Sequence, residues 1–351
     1  MSPSTPLSER IPRSAPIALP APVAGVSWRA ATADDIDGIF ALHTLADPID
    51  RPTSGSERGE FADMFSSSWI DPRSDIVVGT ASDGAIVAWG RAVLIPGADG
   101  FAESGLAGVV HPAHRGLGIG RELLAWQESR ALAQLASIDL PVEGRVIVYT
   151  SGDRRDLHHL LERRGFGVVR KFDELSRDIA DDIPEIAIPD GLELVDYSEH
   201  WAAETLEAKN ATFADHWGSL PETEEHWAQR IPDPETGAGG LRTDASLLLV
   251  GPDGRGGREV AAFVLTTVNE RDWERLGHPF GYITLVGVRR SQRGKGAAQA
   301  LINAALRRYR ELGWQRATLH VDTTSPTGAD KLYRKLGFTP AAIELVYGRT
   351  F

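Results

Sequence analysis

An apolar run that stops at arginine and glycine and turns at once into a helix occurs twice in this chain. The second copy, Gly281–Ala300, reads GYITLVGVRRSQRGKGAAQA; the first reads Val109-Val110-His111-Pro112-Ala113-His114-Arg115-Gly116-Leu117-Gly118-Ile119-Gly120. A strand ending on such a loop leaves backbone N–H groups unpaired at the positive end of a helix dipole, which makes an anion site. Each copy is followed by a helix that closes on Gly-Phe, Gly165-Phe166 and Gly337-Phe338. The loops lie roughly 180 residues apart and the Gly-Phe pairs roughly 170, too long for a solenoid repeat and right for a duplicated domain.

The length of 351 residues allows two domains with separate cores. A formal net charge of -12 argues against a nucleic-acid or anionic-membrane binder, because tracking phosphates requires a basic excess. Within that acidic background Arg289, Arg290, Arg293 and Lys295 form a local basic cluster, which suggests one discrete anionic ligand. There are no cysteines, so disulfides, thiolate metal sites and a cysteine nucleophile are excluded. No HExxH or other ligand cluster supports a metal, and no run reaches the length of a membrane span. Arg10 and Arg13 ahead of a short apolar piece resemble a signal peptide, but Pro16, Pro20 and Pro22 break that piece, so residues 1–25 read as a disordered tail.

Apolar periodicity then divides the chain into an N-terminal domain over 26–180, a linker at 181–191 with Pro184 and Pro189 in an acidic setting, and a C-terminal domain over 192–351. Both halves follow the same order: strand, helices, hairpin, strand into the glycine loop, long helix, short strand, helix, Gly-Phe, strand. The fold class is α/β. Trp201, Trp217 and Trp227 supply aromatic surface that more often builds a core than a ligand box.

Arg115-x-x-Gly118-x-Gly120 and Arg293-x-x-Gly296-x-Ala298, each after an apolar strand and opening a helix, resemble the acyl-CoA pyrophosphate loop of the GNAT superfamily of N-acyltransferases. In the second half the resemblance extends through Val286-Gly287-Val288, Val321-Asp322, Ser325-Pro326-Thr327-Gly328-Ala329 and Leu332-Tyr333-x-x-x-Gly337-Phe338. It is similar there to a tandem GNAT group that includes mycothiol synthase; related sequences often carry Asn where Ser325 stands. The glycine spacing fits neither the dinucleotide nor the nucleoside-triphosphate loop, since Arg121 stands where a third glycine would be. The resemblance implies two GNAT-like domains in tandem, each a mixed, mainly antiparallel sheet flanked by helices. It further implies a cytoplasmic monomer or homodimer that uses acetyl-CoA, no metal, and a small-molecule amine acceptor.

The implied reaction is direct attack of an amine on the acetyl-CoA thioester in a ternary complex. Arg293, Gly294, Gly296, Ala297 and Ala298 would hold the pyrophosphate, since small residues let backbone approach phosphate oxygens. Val286 and Val288 would hydrogen-bond the pantetheine arm, with a backbone N–H there facing the developing oxyanion. Tyr333 would serve the leaving thiolate. For the base, Glu270 is the leading candidate by resemblance, against its reading as a solvated loop carboxylate. His216, within Asp215-His216-Trp217, is a base or water relay or simply lines the acceptor pocket. His320 and Asp322 flank a strand end and read as a buried or capping pair. In the first half Val110, Arg115, Gly116, Gly118 and Gly120 match the loop, but Leu161 stands where the second half has Tyr333. That half is expected to bind acyl-CoA structurally or to have lost its chemistry. Two further readings stay open: mycothiol synthase itself, which by resemblance acetylates the cysteinyl amine of a pseudo-disaccharide thiol, and a catalytically silent acyl-CoA sensor or scaffold.

Overall fold

The computed structural model describes residues 4–12, 17–95, 101–214, 221–228, 230, 240–324 and 328–351. The chain forms two compact units, one of 1–171 with 344–351 and one of 172–343. In the first, strands β1 (Ser27–Ala30), β2 (Ile76–Thr80), β3 (Ile86–Ile95), β4 (Phe101–Val110) and β5 (Glu143–Ser151) form a sheet in sequence order. All pairs are antiparallel except β4 with β5. The far side of β5 is closed by β12 (Thr339–Thr350), whose Glu344–Thr350 run antiparallel to it. The helix Ile119–Leu135 buries Leu124, Ala131 and Leu135 against Leu106, Val146 and Val148.

The second unit repeats this plan. Strands β7 (Glu193–Asp196), β8 (Leu247–Pro252), β9 (Arg258–Thr267), β10 (Phe280–Val288) and β11 (Arg316–Asp322) follow one another, antiparallel except for β10 with β11. Its closing strand is the later part of β6 (Gly167–Asp178), Phe172–Asp178, antiparallel to β11. Each sheet is thus completed by a strand from outside its own half of the sequence. The helix Ala297–Glu311 packs Leu301, Ala305 and Tyr309 on one face of this sheet, and the helix Ala202–Phe213 packs Leu206 on the other, beside Phe263 and Leu265.

The expected linker therefore lies inside the second unit, where Ile183 is buried and Asn303 donates to the Pro184 carbonyl. Arg310 holds the Ile179 and Asp181 carbonyls. Backbone satisfied by side chains from a distant helix is ordered despite its prolines and acidic residues. The opening residues differ from expectation too. Leu7–Arg10 form a helical turn, Leu7 and Ile11 are buried in the first core, and Arg10 donates to the Phe351 carbonyl. Leu7 lies in the turn and Ile11 directly after it, and burying both anchors the short segment.

Gly287 of the Val-Gly-Val motif is required by close approach. A Cβ there would stand 2.3 Å from Cζ of Phe263 and 2.7 Å from Oγ1 of Thr212. Gly287→Ala is expected to cost about 1–3 kcal/mol through overpacking, read as a lower urea midpoint; an unchanged midpoint would show that the ring and helix can give way.

Candidate active site

In the second unit β10 and β11 pair in parallel from Phe280↔Arg316 to Ile283↔Leu319 and then part. β10 goes on beside β9 as far as Val288↔Ala262, and β11 beside β6 as far as Asp322↔Phe172. A register shift between Ile283 and Leu285 inserts one extra residue, Thr284, where the strands separate. A bulge re-aims the strand, and the gap leaves the β10 backbone from Leu285 to Val288 without a strand on that side. Backbone donors and acceptors at such an edge can take an extended ligand as an added strand.

The gap opens onto the glycine loop. Gly294 (φ 76°) and Gly296 (φ 86°) both adopt left-handed backbone, and Gly296 caps the helix Ala297–Glu311. Side chains rarely tolerate that conformation, and nothing lies within 4 Å of where a Cβ would stand on either glycine. The loop is therefore both shaped by glycine and open to approach, with the first N–H groups of a long helix at its end. The basic cluster divides by role. Nε of Arg293 donates to the Val288 carbonyl at 3.1 Å, tying the loop to the strand end. Arg289 donates to the Val260 carbonyl and pairs with Glu207 and Glu259, which makes it a brace between elements. Both guanidinium groups thus have partners within the protein.

Tyr333 lies on the helix Ala329–Lys335, 8% exposed, in the cluster that holds Ala297 and Leu301 and against which Val286 and Val288 pack. Its ring stands edge-on to Phe338 at 5.9 Å. Its hydroxyl takes no hydrogen bond from the described residues, and burial pushes its pKa up to about 12. The helix ends with Phe338 N–H donating to the Tyr333 carbonyl at 3.0 Å and Gly337 at φ 84°.

The first unit builds the same parts with different contents. β4 and β5 stay paired from Phe101↔Glu143 to Leu106↔Val148, and the β3–β4 register is continuous, with no bulge. Gly116 (φ 76°) and Gly118 (φ 89°) repeat the loop, and Nε of Arg115 donates to the Val110 carbonyl at 3.1 Å. Gly120 lies within the first turn of the following helix, Ile119–Leu135. Phe166 N–H donates to the Leu161 carbonyl at 3.1 Å, the same cap, so the fully buried Leu161 is the structural counterpart of Tyr333. The parting strand ends are bridged here. Buried Asp50 pairs with Arg115 from the loop at 2.8 Å and with Arg154, just after β5, at 2.6 Å. Removing the shared carboxylate leaves two guanidinium groups facing each other, so Asp50→Asn should lower unfolding free energy by about 3 kcal/mol in urea titration; a change below about 1 kcal/mol would mean that water replaces the bridge.

The other candidates are placed as follows. Glu270 opens the helix Glu270–Leu276, its side chain 75% exposed and 3.9 Å from Arg242. It follows β9 past Thr267, which pairs with Tyr282, on the side away from the gap, so the structure does not bring it to the loop or to Tyr333. Asp215, His216, Trp217 and Ser325 lie outside the described residues. His320 is one residue past the last β10–β11 pair. Its Nδ1 is 2.8 Å from the Tyr282 hydroxyl, and its Nε2 is 3.7 Å from Oε2 of Glu174. Asp322 accepts from the N–H and hydroxyl of Thr324, the capping role expected of it. Tyr282 reaches His320 through the β10–β11 pairing and Glu174 through the closing strand β6, a grouping with no local signal in the sequence.

The acetyltransferase (GNAT) family model matches residues 37–166 and 202–338, once in each half. The mycothiol acetyltransferase of Thermomonospora curvata is 32% identical over 268 residues, covering 76% of this chain and 79% of the relative. The mycothiol acetyltransferase of Salinispora arenicola is 29% identical over 334 residues, 94% of each chain. Among solved structures, a GCN5-related N-acetyltransferase from Sphaerobacter thermophilus superposes with a TM-score of 0.69 at 23% identity, over 95% of this chain and 97% of that one. A tandem GNAT protein from the clavulanic acid biosynthesis pathway gives 0.62 at 17% identity, over 93% of this chain and 98% of that one. At these identities the superpositions speak to fold alone. Among the described residues no helix is long and apolar enough to cross a membrane.

Proposed function

We propose that this chain, which belongs to the acetyltransferase (GNAT) family, moves an acetyl group from acetyl-CoA to the primary amine of a small molecule, with the C-terminal unit carrying the reaction. One observation carries this reading: the gap between β10 and β11 leads from the bulge at Thr284 to the open loop at Gly294 and Gly296, and Tyr333 packs with the helix that the loop begins. The shape fits acyl-CoA, whose pyrophosphate suits a helix N-terminus and whose extended amide-bearing arm suits an open strand edge.

Each residue then has a task. Gly294, Gly296, Ala297 and Ala298 bring backbone N–H groups to the phosphates, and Arg293 holds the loop against Val288. The β10 edge, Leu285–Val288, aligns the arm and offers an N–H to the oxyanion. Tyr333 donates to the departing thiolate. The first unit, with Leu161 in place of the phenol and Asp50 bridging the strand ends, serves as a partner domain without chemistry. A chain without cysteines that draws on acetyl-CoA is placed in the cytoplasm by this reading.

For the acceptor, the relatives named mycothiol acetyltransferase make the unacetylated mycothiol precursor the first compound to try. The test is CoA release from acetyl-CoA by the full chain, with that precursor and with a panel of simple primary amines. Turnover with any of them supports the reading and the preferred one names the acceptor class. Tight acetyl-CoA binding with no turnover across the panel would make the chain a sensor instead.

A further inference from the structure

We propose that Tyr282, His320 and Glu174 form the proton relay that deprotonates the acceptor amine in the C-terminal unit, an inference that rests on the acetyl-transfer reading above. The three residues come from three adjacent strands, β10, β11 and β6. In the register Tyr282 lies opposite Thr318, and His320 opposite Glu174. Their neighbours Ile283, Leu319 and Leu175 point into the core beneath the helix Ala297–Glu311. Strand alternation therefore turns Tyr282, His320 and Glu174 to the other face, the one covered by the helix Ala202–Phe213.

Their position in the gap is specific. Ile283↔Leu319 is the last β10–β11 pair, Thr284 is the extra residue, and His320 is the next residue of β11. The glycine loop stands at the open end of the gap and the relay at its apex, the order in which acyl-CoA carries its pyrophosphate and its thioester. An amine attacking the thioester at the apex meets the Tyr282 hydroxyl first.

The contacts set the direction of proton flow. The Tyr282 hydroxyl is 2.8 Å from Nδ1 of His320; the relay uses the neutral tautomer in which that hydroxyl donates to Nδ1 and the ring proton sits on Nε2, facing Glu174 at 3.7 Å. Glu174 is 7% exposed, so its carboxylate acts on the imidazolium with little screening. Asp322, two residues along β11 on the same face, is occupied by Thr324. In the proposed step the acceptor ammonium passes a proton to the Tyr282 oxygen while the tyrosine's own proton moves to Nδ1. The result is a neutral amine and an imidazolium beside Glu174. The amine nitrogen then bonds to the carbonyl carbon, the C–S bond breaks with its electron pair leaving on sulfur, and one of the two N–H protons ends on the thiol while the other stays on the amide. The imidazolium returns its proton to solvent at the end of the cycle.

The test compares wild type with His320→Gln and Tyr282→Phe in the full chain. It uses acetyl-CoA with the best amine of the panel and, separately, with hydroxylamine, which is largely unprotonated at neutral pH and needs no base. The relay predicts that both variants lose on the order of 10²- to 10⁴-fold in kcat/KM for the amine at neutral pH. It also predicts that they regain much of this as pH rises, stay within a few-fold of wild type on hydroxylamine, and bind acetyl-CoA unchanged. Equal losses on amine and hydroxylamine, or a loss independent of pH, would overturn the relay and leave the acetyltransferase reading intact. A wild-type chain that transfers acetyl to neither nucleophile overturns that reading and the relay with it.

Discussion

Tyr333→Phe is expected to lower kcat ten- to a thousand-fold while acetyl-CoA affinity stays within a few-fold. Burial pushes the phenol up to about 12, whereas a cysteine-like thiol has a pKa near 8.5. Full proton transfer to the thiolate is then uphill by roughly 5 kcal/mol at about 1.4 kcal/mol per pKa unit. The work expected of this phenol is therefore hydrogen bonding to sulfur as charge develops. A hydrogen bond to a buried anion is worth about 1.5–3 kcal/mol and preorganised ones somewhat more, which gives the stated range. A raised pKa keeps the phenol neutral and able to donate at every pH below about 12. The alkaline limb of the kcat profile should accordingly have the same midpoint in wild type and variant. Steady-state kinetics with a separate acetyl-CoA titration checks both parts; unchanged turnover removes the role, and a shifted alkaline limb assigns that ionisation to Tyr333.

The second large effect belongs to the loops. Gly296→Val places a branched side chain at φ 86°, which strains the backbone by about 1–2 kcal/mol and fills the space where phosphate oxygens would approach. Gly118→Val meets the same backbone strain at φ 89° in the other unit, where the new Cβ also stands 3.5 Å from Val23 and from the flexible end of Arg121. Both variants should lose similar stability in urea. Acetyl-CoA turnover should fall by at least about 100-fold in Gly296→Val, the loss of a few charge-assisted hydrogen bonds. It should stay within a few-fold of wild type in Gly118→Val. Equal effects on turnover would mean that both loops, or neither, handle the co-substrate.

Much of this was legible in the amino-acid order, because the loops are written in residue types with one physical reading. Glycines at left-handed positions, small residues at a helix start and an apolar strand ahead of them all declare themselves locally. The Leu161–Tyr333 correspondence was legible for the same reason, since Gly-Phe marks the same helix cap in both units. The strand β6 was harder. Its second part, Lys-Phe-Asp-Glu-Leu-Ser-Arg-Asp, carries the charges of a loop, yet Asp173, Glu174 and Arg177 are buried. Arg334 stands 3.5 Å from Asp173, His320 faces Glu174, and Arg177 donates to the Leu336 carbonyl. Buried charge is tolerated only with such partners, which lie far along the chain and give no local signal. With only the start of β6, the strand expected after Gly165-Phe166, legible in the sequence, the exchange of closing strands between halves and the place of Glu174 beside His320 were both out of reach. Glu270 was drawn from the loop after β9, where Asn269 instead starts a short helix and turns the carboxylate to solvent.

The C-terminal unit is proposed to acetylate an amine at the expense of acetyl-CoA. The decisive measurement quantifies acetylated product by mass spectrometry, together with released CoA, in wild type, Gly296→Val and Gly118→Val given the same acceptor. Product and CoA are expected in equal amounts from wild type and Gly118→Val, and almost none from Gly296→Val. Product formation that survives in Gly296→Val and disappears in Gly118→Val would place the reaction in the N-terminal unit instead.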